Sequence, residues 1–128
     1  TFYWAQIDAL VLPGGIPGAH HLRENDFLIQ KLKEYSKKGK IIAAICAAPI
    51  VLHRAGLLKK KKFTCYPGFE DEINDGVYTG ALVEKDGKII TGCGAAASFE
   101  FAYTIAEALG TDTSALREGM QYNKLFKK

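Results

Sequence analysis

Little in this chain suggests a covalent framework. It has three cysteines, an odd number, with no CxxC spacing among them. That pattern excludes the disulfide scaffold of a small secreted domain and the paired-thiolate zinc site. The thiols are expected to be reduced, in a cytoplasmic protein. Three scattered histidines add no ligand spacing, so neither a metal nor another cofactor is expected. Long apolar runs are also missing. The longest, Ile41 to Leu52, is twelve residues and contains Pro49, whereas a spanning helix needs about 20. Thr1-Phe2-Tyr3-Trp4 lacks a positively charged region and soon reaches Asp8, so no signal peptide is expected. An excess of one charge is lacking too. Seventeen Lys and Arg against fourteen Asp and Glu leave +3, too little to imply a nucleic-acid surface. The run Lys59-Lys60-Lys61-Lys62 lies between apolar segments and reads as a solvated loop or helix end. Lys127-Lys128 reads as a frayed tail.

What is present fits a soluble globular chain, with 48% hydrophobic and 24% charged residues. One domain over 1–128 is expected, without repeat, linker or low-complexity stretch. Strand and helix alternate. Ile7 to Leu12 is a short apolar run closed by Pro13-Gly14-Gly15, the mark of a buried strand. A helix is expected from about Asn25 to Lys38. Leu28, Leu32 and Tyr35 share one face, Asn25 or Asp26 caps the start, and Gly39 ends it. Ile41 to Ile45 is apolar on both faces, as the middle strand of a parallel sheet would be. A helix over Ala48 to Ala55 tolerates Pro49 in its first turn. Phe63 to Tyr66 reads as a third core strand, and Val83 to Ile90 as a hairpin turning at Asp86-Gly87. Ser98 is the expected cap of a helix to Leu109, with Ala102, Ile105, Ala106 and Leu109 buried. A last helix starts near Asp112 or Thr113. Such alternation implies an α/β fold, a parallel sheet with helices on both sides. Three core strands and a hairpin are few for that architecture, so the sheet reads as incomplete in this chain.

The chemistry concentrates at Ile41 to Pro49, where a buried strand runs straight into a helix. The junction residue is Cys46, with Ala43, Ala44, Ala47 and Ala48 around it. Small neighbours suit a sharp strand–nucleophile–helix elbow. Unpaired N–H groups of Ala47 and Ala48 and the helix dipole would favour a thiolate there, and the thiolate is the nucleophile. Taken by itself, a plain buried cysteine is an equal reading. Gly14 and Gly15 follow the preceding strand. Loops at the C-termini of parallel strands share one edge, so these glycines should face Cys46 and supply oxyanion donors. No GxxxxGK[ST] is present to make them a phosphate loop.

Asp8 to Gly15, Pro17-Gly18-Ala19 and Ala44-Ile45-Cys46-Ala47-Ala48-Pro49 together resemble the ThiJ/PfpI superfamily, nearest its Parkinsonism-associated deglycase branch and bacterial relatives. Gly56-Leu57-Leu58, Thr64 to Gly68 and Ser98 to Ala102 continue the resemblance. It implies a flavodoxin-like sheet sandwiched between helices, usually in a homodimer. It implies that Cys46 is the oxidation-prone nucleophile, and that Gly14 and Gly15 donate to an oxyanion, with Ala47 beside them. The implied chemistry is glyoxalase- or deglycase-like action on a small carbonyl substrate, without cofactor. A redox-sensing or chaperone-like stress protein is the alternative.

Three departures matter. Family members carry strand and helix ahead of the segment matching Ile7, including a glutamate that hydrogen-bonds the cysteine sulfur. An N-terminal extension, or another chain supplying that part, is therefore expected. Peptidase-like members have a histidine directly after the nucleophile; Ala47 stands here, against a peptidase or amidase. Some members of the branch have a histidine where Tyr66 stands. Tyr66, His20 and His21 remain possible accessory residues, although the histidines read first as a solvated helix start. His53 reads as a surface or interface residue, and Cys65 and Cys93 as structural thiols. No nucleic-acid or membrane partner is expected.

Overall fold

The apolar run at the middle of the sequence forms the middle of the sheet. In this computed structural model, which describes residues 3–126, strand β2 (Ile41–Ile45) lies between β1 (Ala9–Leu12) and β6 (Ile89–Gly92). Both neighbours are parallel to it, in registers running Leu12↔Ala44 and Ile45↔Gly92. Strand β5 (Val83–Asp86) pairs antiparallel with β6 and completes the order β1-β2-β6-β5. Thr1, Phe2 and the Lys127-Lys128 tail lie outside the described residues.

Alternation along β2 explains why all of it is apolar. Ile42 and Ala44 join a core with Leu32, Ile50, Leu52 and Phe63, while Ile41 and Ala43 join a second core with Ile90 and Phe101. The first core is covered by α1 (Gly18–Arg23), α2 (Asp26–Lys37) and α3 (Pro49–Arg54), and the second by α4 (Ser98–Ala108). Leu32, Ile42 and Phe63 are each fully buried, a contribution of roughly 1.5–3 kcal/mol apiece. The result is a flavodoxin-like α/β sandwich. No helix among the described residues is long and apolar enough to cross a membrane.

Helix α2 starts as its sequence indicates. The Asn25 side chain accepts the Leu28 N–H at 3.0 Å, and Gly39 stops the helix with φ +77°. Besides the later start of β1 at Ala9, with Val11 exposed, four local details differ from expectation. The hairpin turns at Gly87-Lys88 rather than Asp86-Gly87. Only Gly87 has positive φ, the pattern of a turn with glycine first, and Asp86 stays in the strand, where its carboxylate accepts the Lys62 N–H at 2.9 Å. The expected third core strand shortens to β3 (Lys62–Phe63), which pairs in parallel with β4 (Val77–Tyr78) in a separate sheet. The outer edge of β6 is already taken by β5. After Phe63 the chain ties to β6 through a side chain instead: the Thr64 N–H donates to Thr91 Oγ1 at 2.9 Å, fully buried.

The third difference is the buried face of α4. Phe101 and Tyr103 are buried, and Ile105 and Ala108 pack on the second core, whereas Ala102 and Leu109 are exposed. Phe101, Ile105 and Ala108 form their own helical stripe, and burying an aromatic ring outweighs burying alanines. Finally, Ser98 lies in the first turn of α4 and caps nothing, because its hydroxyl donates to the Ala95 carbonyl at 2.7 Å. The last helix, α5 (Ser114–Gly119), starts near its expected position. The lysine run forms the turn into β3, with Lys60 at positive φ and Lys61 3.8 Å from Asp86.

Candidate functional site

The C-terminal ends of β1, β2 and β6 share one edge of the sheet, and each releases a loop there. Cys46 follows β2 directly. Its φ of +63° is in the left-handed region, which costs a non-glycine residue about 1–2 kcal/mol. The surrounding main chain maintains this conformation. The Cys46 N–H donates to the Gly92 carbonyl at 2.9 Å, and the Cys46 carbonyl accepts the Tyr66 N–H at 2.8 Å. Cys46 is therefore bound on both sides, and it is only partly buried.

Position 14 has room for glycine alone. A Cβ there would lie 2.5 Å from Cys46 Cβ, 3.0 Å from the Ile45 carbonyl oxygen and 3.4 Å from the Cys46 sulfur. Gly15 takes φ +96°, which turns the loop back toward α1. With Ile45, Ala95 and Ser98, these residues wall an open cavity of about 250 Å³ over Cys46. The N–H groups of Gly14 and Gly15 meet no acceptor among the described residues. Ala47 has the same unused N–H but is buried and forms no part of the wall. The Ala48 N–H, expected to face the sulfur, is taken by the Ile45 carbonyl at 3.1 Å. This bond closes the turn that makes the elbow.

The accessory candidates lie outside this wall. Tyr66 is half exposed, its backbone tied to Cys46 and its ring beside Phe69 at 6.4 Å. His20 and His21 lie on α1, which starts four residues after Gly14. Among the described residues no acid, base or metal-binding cluster lines the cavity. His53 pairs with Asp75 at 3.1 Å on the far end of α3.

The other two thiols differ from Cys46. Cys65 is fully buried, and burial pushes its thiol up to about 12, with Glu70, Cys46 and Cys93 adding repulsion. Cys93 follows β6 and is partly buried. Sequence reasoning did not connect Ala95 and Ser98 with Cys46. Both follow the C-terminus of β6, and the rule that placed Gly14 at this edge applies equally to them.

Known proteins share this fold. The DJ-1/PfpI family profile matches residues 3–108. The chain is 40% identical over 112 residues to the Parkinson disease protein 7 homolog of Danio rerio, covering 84% of this chain and 59% of that protein. The crystal structure of Drosophila melanogaster DJ-1beta superposes with TM-score 0.86 at 34% identity, over 92% of this chain and 66% of that one. Oxidized DJ-1 of Toxoplasma gondii superposes with TM-score 0.81 at 35% identity, over 93% and 66%. The chain thus spans about three-fifths of the length of the first of these relatives.

Proposed function

Since the chain belongs to the DJ-1/PfpI family, we propose that it supports glyoxalase- or deglycase-like chemistry on small reactive carbonyl compounds, with Cys46 as nucleophile. The observation that carries this reading is the elbow itself. A cysteine fixed at φ +63° opens into a cavity walled by two glycines with unused N–H groups. With methylglyoxal, the thiolate sulfur bonds to the aldehyde carbon and the C=O electron pair moves onto oxygen. The Gly14 and Gly15 N–H groups hold that oxyanion, and protonation gives a hemithioacetal. Moving the C1 proton to C2 makes a thioester of the 2-hydroxy acid, and water releases the acid and restores the thiol.

The proton relay needs an acid–base group that the cavity wall lacks among the described residues. The family resemblance implies a glutamate ahead of the segment matching Ile7 for this role. Loss of methylglyoxal without added thiol is the test. Turnover by the protein that is abolished in Cys46→Ser supports the reading. Equal rates in the two proteins exclude Cys46 as the nucleophile.

A redox-sensing role is favoured by one contrast: Cys46 is open to solvent while Cys65 is sealed. Under this reading a peroxide oxidises Cys46 first, toward the sulfinate. Peroxide titration followed by peptide mass spectrometry would show this, and earlier oxidation of Cys93 or Cys65 would exclude it. Pairing of two copies is likewise expected from the resemblance and is measured by sedimentation.

A further inference from the structure

Ser98 occupies a particular place in the cavity over Cys46. In the sheet order β1-β2-β6, Gly14 and Gly15 follow β1 while Ala95 and Ser98 follow β6, so the two pairs flank Cys46 from opposite sides. Their hydrogen-bonding characters are also opposite. The glycines offer N–H donors. A serine hydroxyl has one hydrogen and two lone pairs, and the hydrogen of Ser98 is already given to the Ala95 carbonyl at 2.7 Å. What Ser98 can present to the cavity is a lone pair. No other polar side chain besides Cys46 lines the wall among the described residues. A carbonyl compound seated over the sulfur thus meets main-chain donors on one side and one side-chain acceptor on the other.

We propose that Ser98 Oγ is a specificity-determining acceptor, taking a hydrogen bond from an O–H or N–H group that flanks the carbonyl of the substrate. The site then favours hydroxy- or amino-substituted carbonyl compounds over those with only carbon at that position. This rests on Cys46 being the nucleophile of the preceding section. Ser98 has no role in forming or breaking bonds.

Chloroacetamide and chloroacetone test this directly, because an amide NH₂ and a methyl group are nearly isosteric and only the first donates. In each reaction the Cys46 sulfur displaces chloride, an S–C bond replaces the C–Cl bond, and the thiol proton goes to buffer. Alkylation rates at Cys46, located by peptide mass spectrometry, are divided by those of free glutathione with the same reagent. The normalised preference for chloroacetamide should exceed that of glutathione by about fivefold, the worth of one net hydrogen bond. It should vanish in Ser98→Ala and persist in Ser98→Thr, which keeps the hydroxyl. A preference unchanged in Ser98→Ala overturns the role of Ser98 while leaving the nucleophile intact. Cys46 reacting no faster than Cys93 overturns both. Taking a ratio of two reagents on each variant cancels any change in overall stability.

Discussion

Cys46 and Cys65 are near neighbours with opposite environments. One hydrogen bond, from the Tyr66 N–H to the Cys46 carbonyl, joins the residue after Cys65 to the elbow. Yet Cys46 opens into a cavity, while Cys65 packs in the first core with no exposed surface. The difference lies in the backbone. Cys46 is turned out of the strand direction by its positive φ, whereas Thr64 beside Cys65 is held inward by the hydroxyl of Thr91. Where the main chain points a thiol decides whether it can be reached, and burial alone suffices to make a cysteine inert.

The largest way to sharpen that contrast is to label the native protein with a thiol reagent. Cys46 should react at least about a thousandfold faster than Cys65, which needs an opening of the core to be reached. Comparable rates in the folded protein would show that the core around Cys65 is not closed.

Next in size is Gly14→Ala, which aims at the elbow. Its new Cβ has no space beside Cys46 Cβ and the Ile45 carbonyl, so the main chain at one of them must move. A loss of about 1–3 kcal/mol is expected in denaturant unfolding. A fall of tenfold or more in Cys46 labelling should accompany it, with Cys65 unaffected. Thr91→Val aims at the other side. It leaves the buried Thr64 N–H without an acceptor, at a cost of about 1–2 kcal/mol, and should raise the labelling of Cys65 rather than that of Cys46.

The smallest effect at neutral pH, and one that grows only in alkali, concerns the Cys65 proton. The folded state holds the Cys65 proton up to about 12, whereas an ordinary thiol releases it near 9.0. Between those values the unfolded chain binds fewer protons, so stability falls as pH rises through the window and is untouched below it. Cys65→Ala should flatten that fall in urea titrations at a series of pH values.

Much of this was legible in the residues. Ile41 to Ile45 announced a middle strand by being apolar at every position, and Asn25 and Gly39 marked both ends of a helix. Cys46 and the Gly14-Gly15 loop were drawn to one edge by the rule that parallel strands deliver their C-terminal loops together. What stayed hidden depended on contacts between distant segments. Phe63 to Tyr66 has the composition of a core strand, but no periodicity reveals that β5 occupies the place it would need. The choice of Phe101 over Ala102 as the inner residue of α4 depends on how the helix rolls over Ile90. Ser98 looked like a cap because serine before a helical run usually is one, and its place over the sulfur follows only from the short turn at Ala95–Ala97.

The two main-chain bonds of Cys46 have a consequence for the entropy of any reaction at its sulfur. With φ fixed and both the N–H and the carbonyl engaged, the residue keeps a single torsion, the one that swings Sγ about the Cα–Cβ bond. The backbone of Gly14, packed against Cys46 Cβ, narrows even that. A molecule entering the cavity meets a nucleophile with almost no freedom left to lose. The ordering cost of the encounter falls on the visitor alone.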